Sequence, residues 1–369
     1  MMNHVSFTFS RTRLFPGFDG KFCKVCPSVA SDGGKNQLIA YQKLLLSGSD
    51  VVYGMLMTKS IDGGKTFSEH LVQTEIADVY HDGLRTAYSA FLHYHKHSRR
   101  WFALGCSEDY ADDSLPIVRA GTSLTMPMFY PVDFENCRIK KGQILPMPFP
   151  VIGAVPMGQI IEEENGDILV PFSFTTDEHP IGSLLTARYR LTDTGITLVE
   201  AGMPIVTHTL ARGYAEPSIA KLNGKYYMTI RTDEMGMFAV SDDGLTFAEP
   251  RPWTWEDGSL IGNCNTQQHW IVSQNGLFLA YTRSGAHNDH VFRNRAPIFM
   301  ARFDEERGCL LRDTEVILVP ELGARLGNFA AFEPTDKEAW LITAEWMQPA
   351  GCEAYGSDNS LWLAKVQWQ

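Results

Sequence analysis

The sequence predicts an all-β fold, a single six-bladed β-propeller over residues 1–369, and three observations carry that reading. Helical periodicity is nearly absent, and short β-branched and aromatic runs are cut by Gly, Asn and Asp. Tight turns followed by strongly apolar strands recur at near-even spacing. Two segments rich in Ser, Asp, Gly and Thr occupy the same place in two of the units so marked.

The clearest turns are Asn165-Gly166, Asn223-Gly224 and Asn275-Gly276, each just ahead of an apolar strand. Asn-Gly supplies the positive φ angles that a two-residue hairpin requires. Weaker versions are Gly33-Gly34, Ser98-Arg99 and Asp336-Lys337. The second members, residues 34, 99, 166, 224, 276 and 337, are separated by 65, 67, 58, 52 and 61 residues. Six units of about 61 residues fill the chain, a period expected of four-stranded propeller blades. A pair of β-sandwiches with accidental turn spacing is the alternative, but no linker divides the chain, which reads as one domain.

The segment Ser60-Ile61-Asp62-Gly63-Gly64-Lys65-Thr66-Phe67 fits the pattern S-x-D-x-G-x-T-[WF], a hairpin tied by its Asp and Ser/Thr side chains. Ser241 to Phe247 is a version one residue shorter. Both follow the second strand after a hairpin turn, in the first and fourth units. These are structural signatures, set away from any chemistry.

Composition narrows the function. A formal net charge of −11 with no basic run argues against nucleic acid as a partner. The N-terminal stretch lacks the apolar run of a signal peptide, and no window approaches the roughly 18 apolar residues of a membrane helix, so a cytoplasmic, membrane-free protein is expected. Seven scattered cysteines include one C-x-x-C, Cys23 and Cys26, which reads as buried, reduced thiols rather than a metal or redox motif. No phosphate loop or dinucleotide fingerprint is present, so no cofactor is expected.

Aligning the units on their turns nominates the residues at one mouth of the central channel. Seven or eight positions past each turn lie Tyr41-Gln42, Cys106, Ser173, Arg231, Arg283 and Glu345. The preceding strand starts add Lys24, the His81-Asp82 and Arg85 group, Gln159, Arg212 to Glu216, Asn263 to His269, and Arg325 to Phe329. Several arginines among few positions need an anion to be stable together, and a carboxylate or sulfate answers them bidentately. An acidic carbohydrate is therefore the expected partner.

The stretch Glu216-Pro217-Ser218 through Tyr227-Met228-Thr229-Ile230-Arg231 resembles the sialidase superfamily, whose members are six-bladed propellers carrying such Asp boxes. The resemblance implies that Glu216 polarises a nucleophile and that Arg231 grips a substrate carboxylate. It implies Arg283 as a second arginine of such a triad, with Arg295 or Arg325 completing it. The chain departs from the family pattern at three places. Cys23-Lys24-Val25-Cys26-Pro27 stands at the first arginine motif, Gln42 or Lys43 at the aspartate acid, and Phe329 at the tyrosine nucleophile.

A later region is dense in acid/base groups: His269, Arg283, His287, Asp289, His290, Arg293 and Arg295. A His beside a carboxylate is a natural proton shuttle near neutral pH. The bland readings are a hydrogen-bonded core His269 and solvent-exposed loop residues His287 and His290. Metal use is disfavoured, because H-x-x-H with an intervening Asp is not a standard zinc spacing.

The leading expectation is a glycosidase acting on a sialic- or uronic-acid glycan. Glu216 would be base or nucleophile activator, His269 or Asp289 proton donor, and Arg231, Arg283, Arg295, Arg325, Arg212 and Gln42 substrate-binding. A uronate lyase using His269, Tyr214 or Tyr281 as base is the competitor. A glycan-binding propeller without turnover is the reading from another class.

Overall fold

A computed structural model describes residues 6–117, 125–208 and 210–369 as an all-β propeller. The N-terminal reading above falls partly on residues 1–5, outside the described residues. The described strands pair antiparallel into six sheets, and successive sheets touch around a closed ring, mostly through their inner strands. Those inner strands are Phe22–Ser31, Phe91–His95, Gly153–Pro156, Ala215–Leu222, His269–Ser273 and Phe329–Thr335. The ring closes when the N-terminal strand Phe7–Leu14 becomes the outer strand of the last sheet, paired with Leu361–Trp368 from Phe7↔Trp368 to Leu14↔Leu361.

Six like blades were expected, and this is corrected in part. Five sheets follow a four-strand path, whereas the sheet of residues 79–144 has seven strands. Its long second strand, Arg100–Tyr110, pairs with Phe91–His95 along one half and with Leu84–Tyr88 along the other, and Val79–His81 adds a further hairpin. The inner strand breaks at Ser89-Ala90, whose backbone crowds Gly105. A Cβ on Gly105 would lie 1.9 Å from the Ser89 carbonyl oxygen, so only glycine allows this approach.

The turns differ in detail from the expectation. Only the Asn223-Gly224 pair has both residues at positive φ, 51° and 79°. At Asn165-Gly166 only the glycine does, and in the third case Gly276 already pairs with Ser273, leaving Gln274-Asn275 as the turn. In the segment Ser60–Phe67 the Asp62 carboxylate accepts the Lys65 and Thr66 N–H groups and both the Ser60 and Thr66 hydroxyls. Asp243 accepts Leu245 N–H, Thr246 N–H and the Ser241 hydroxyl in the same manner.

The core lies between neighbouring sheets. Where the fourth meets the fifth, Tyr227, Phe238, Trp253, Trp270 and Phe303 pack together, with Trp253 edge-on to Trp270 at 5.6 Å and to Phe303 at 5.5 Å. Such large rings bury 150–250 Å² each by the usual measure and hold adjacent sheets at fixed angles. All seven cysteines are free, and five of them are buried.

Candidate active site

The inner strands all begin at one end of the ring and surround a cavity of about 580 Å³ there, to which each sheet contributes. Two of the strands enter it through the same local device. In the fourth sheet the register shifts between Ala215 and Ser218, and Glu216 adopts φ 48° ahead of Pro217. In the first sheet it shifts between Val25 and Ser28, and Cys26 adopts φ 47° ahead of Pro27. A non-glycine residue held at positive φ costs roughly 1–3 kcal/mol, and such strain gathers at functional positions. The Glu216 N–H donates to Ser173 Oγ at 2.8 Å, fixing the bulge to the third sheet.

Glu216 faces Arg231, whose Nη1 donates to its Oε2 at 2.6 Å. Burial pushes the Glu216 carboxyl up, but the Arg231 charge and hydrogen bond, with Arg295 behind them, hold it below the usual carboxylate range. It is an anion at neutral pH. Arg295 and Arg325 also line the cavity and are 5% and 7% exposed, yet their hydrogen-bond acceptors are neutral. Burial lowers both guanidinium groups to about 10, with Arg231 adding to the fall for Arg295, while Glu216 near Arg295 and Asp50 near Arg325 act the other way, so both stay charged at neutral pH. The Nε of each is buried without a hydrogen-bond partner. Arg325 lies on the Trp346 ring, 3.9 Å from its centroid, and donates to Gln348 Oε1 at 2.6 Å. Gln348 Nε2 in turn holds the carbonyls of Leu46 and Gly48, which fixes the loop carrying Asp50.

Six of the nine residues nominated from sequence line this cavity: Gln42, Arg212, Glu216, Arg231, Arg295 and Arg325. Arg212 forms a bidentate pair with Asp233, and Gln42 Nε2 donates to the Tyr88 carbonyl at 3.1 Å. His269, Asp289 and Arg283 do not line it. His269 is buried between sheets, with Nδ1 2.6 Å from Ser218 Oγ and its ring edge-on to Phe329. Burial lowers its pKa to about 4, so it is a neutral core histidine at neutral pH. Asp289 is exposed on the 283–295 loop beside Asn294 Nδ2 at 3.3 Å. Arg283 lies two residues past the end of Gly276–Tyr281 and turns outward, gripping Glu315 at 2.8 and 2.6 Å.

Other nominees also have structural partners. Lys24 donates to the Asn359 carbonyl, and Gln159 brackets the Trp270 backbone. Arg85 is clamped between the Tyr53 and Tyr110 rings. Glu345, 1% exposed, holds Arg13, Trp362 and the Asp358 and Ser360 N–H groups. Near the expected nucleophile position it is Asn328 that lines the cavity, and no tyrosine is among the lining residues.

Sequence reasoning missed two lining carboxylates, Asp50 and Glu108. Glu108 lies two positions beyond Cys106, on a strand that runs to Tyr110, and Tyr110 donates to its Oε2 at 3.0 Å. Asp50 sits at φ 57° in the turn after the strand Gln37–Leu45. Cys26 and Cys106 also line the cavity. Burial pushes Cys26 up to about 12 and Cys106 higher still, so neither is a thiolate nucleophile at neutral pH.

A second cavity of about 600 Å³ occupies the far end of the ring. Two of its four carboxylates are tied to the fold: Glu162 accepts the Lys96 and His97 N–H groups, and Glu163 pairs with Lys221 and Tyr226. Among the described residues, no group of three or more His, Cys, Asp or Glu is placed to hold a metal ion.

No family model matches the chain, and no curated protein matches it. Solved structures do. A protein of unknown function from Dyadobacter fermentans is similar at 16% identity and TM-score 0.66, over 98% of this chain and 99% of that one. A leech intramolecular trans-sialidase is similar at 14% identity and TM-score 0.57, over 98% of this chain and 70% of that one. An α-L-arabinanase of Penicillium chrysogenum is similar at 13% identity and TM-score 0.57, over 98% of both chains. At these identities the likeness establishes the propeller fold.

Proposed function

We propose that this chain is a sialidase-like propeller that cleaves a glycosidic bond in an acidic glycan, at the cavity bearing Glu216. One observation carries the reading. Arg295 and Arg325 are buried at the cavity wall on neutral acceptors, and buried cationic groups call for an anion. The similarity in fold to a trans-sialidase and to an arabinanase supports carbohydrate chemistry by analogy.

In this reading Arg231, Arg293, Arg295 and Arg325, which all line the cavity, together form the receptor for the carboxylate of the sugar. Glu216, kept ionised by Arg231, acts as base or as activator of the attacking group. Breaking the bond also needs a proton for the leaving oxygen. His269 and Asp289 lie outside the cavity, so that task passes to a carboxyl across the ring, Asp50 or Glu108. The elimination reading loses support, since His269, Tyr214 and Tyr281, the bases it needs, are not among the lining residues.

The test is a turnover screen against sialosides, glucuronides and uronate oligosaccharides, reading both released reducing sugar and the ultraviolet absorbance of an unsaturated uronate. Release of free acidic sugar supports hydrolysis. Unsaturated product would move the chain to the lyases, and glycan binding with no turnover on any substrate would make it a binding propeller.

A further inference from the structure

A single amide oxygen meets three guanidinium groups at the cavity. Asn265 Oδ1 accepts from Arg231 Nη2 at 2.5 Å, from Arg293 Nη1 at 3.2 Å and from Arg295 Nη2 at 3.3 Å. The Asn265 backbone oxygen takes a second bond from Arg295 Nη2, at 2.5 Å. All three partners are donors and nothing else, so the amide must turn its oxygen toward them. The backbone is shaped for this. Asn265 adopts φ 48°, and its N–H donates at 2.8 Å to the carbonyl of Thr232, the residue directly after Arg231. From the other side, the 283–295 loop is pinned by the buried Asn288. Its Nδ2 holds the Arg283, Asn294 and Ala296 carbonyls, and the loop delivers Arg293 and Arg295 to the same oxygen.

Three like charges brought this close repel one another, more strongly at a partly buried site than in water. A carboxylate at position 265 would hold them equally well but would cancel one of their charges. A neutral carbonyl dipole holds the geometry and leaves the charge. Arg231 already answers Glu216, so the charge that remains is that of Arg293 and Arg295.

We infer that Asn265 is a positioning residue for anion recognition: its amide assembles Arg231, Arg293 and Arg295 into one receptor without neutralising them, and so sets the preference for acidic over neutral sugars. This rests on the acidic-glycan reading above. It makes position 265 a selectivity switch, because aspartate is the same shape as asparagine and differs by one charge.

The experiment is calorimetric titration of the full chain with N-acetylneuraminic acid and with glucuronic acid, each against its methyl ester. The wild type is expected to favour at least one acid over its ester by roughly tenfold or more, in a salt-dependent manner. Asn265→Asp, which cancels one of those two charges, is expected to cut that ratio at least threefold and to weaken the salt dependence. Asn265→Ala, which frees the arginines but keeps their charge, is expected to weaken the acid roughly tenfold while a residual preference survives. Wild-type preference and affinity retained in Asn265→Asp would overturn the inference and leave the acidic-glycan reading standing. A wild type indifferent to acid and ester would overturn both. Should Asn265→Asp fail to fold, as read by its thermal transition, Asn265→Ala decides, and unchanged acid affinity there overturns the inference.

Discussion

Glu216 and His269 illustrate how surroundings divide two titratable residues that the sequence offered as partners. Both are withdrawn from bulk water, but Glu216 meets Arg231 and keeps its charge, while His269 meets the Ser218 hydroxyl and loses its own. The pH consequence has a definite sign. In the unfolded chain a histidine takes its proton near pH 6.5. In the native state His269 takes it only near pH 4. Stability is therefore full above about pH 6.5 and falls as pH drops toward 4, by about 3 kcal/mol at full extent. His93, lowered to about 3 by burial, acts in the same direction, so the difference between wild type and variant isolates His269. His269→Gln is expected to flatten the fall in melting temperature between pH 6.5 and 4.5 relative to the wild type. An equal slope in both proteins would place the acid sensitivity elsewhere.

At the scale of strands, the cavity is made by interruptions of regular pairing. The Cys26-Pro27 and Glu216-Pro217 bulges turn two inner strands into the site, and the Ser89-Ala90 break lets Arg100–Tyr110 run on to carry Glu108. Gly105 permits that break. Gly105→Ala drives a methyl into the Ser89 carbonyl and should cost on the order of 2–3 kcal/mol in urea unfolding. It should also reduce turnover more than the loss of folded protein explains, because Glu108 is displaced. Glu216 and Arg231 were legible in the sequence because they begin and end one hairpin whose turn is unmistakable. Arg283 was misplaced because counting from turns assumes strands of equal length, and Gly276–Tyr281 stops two residues short of it. Asp50 and Glu108 were illegible for the same reason: each sits past the point where the counting ended. Asn265 lay in plain view, but an asparagine acquires meaning only when three arginines from distant positions converge on it.

For the whole molecule, the turn spacing revealed the all-β repeat, and the seven-stranded second sheet is where regular spacing misled, because its extra hairpin, turned at Asp82-Gly83, lies between the turns that were counted. Closure was not legible at all, since nothing local marks Phe7–Leu14 as the last strand of a sheet formed by residues 329–368. Removing residues 1–14 would leave Leu361–Trp368 as a bare edge and strip Phe7 and Phe9 from the core they pack against. At about 1.5–3 kcal/mol for each large apolar side chain, a loss of several kcal/mol in urea unfolding is expected. An unchanged unfolding midpoint would mean that this strand does not hold the ring. The ring matters because it brings arginines from the fourth, fifth and sixth sheets to face carboxylates from the first and second across one cavity. The most direct test of that arrangement is the release of free acidic sugar by wild type and by Glu216→Gln, on the best substrate of the screen. Both proteins are first confirmed to share a melting temperature. A fall in kcat of roughly 10²- to 10⁴-fold is expected in the variant, with binding of the sugar retained. Release at the wild-type rate by Glu216→Gln would contradict it.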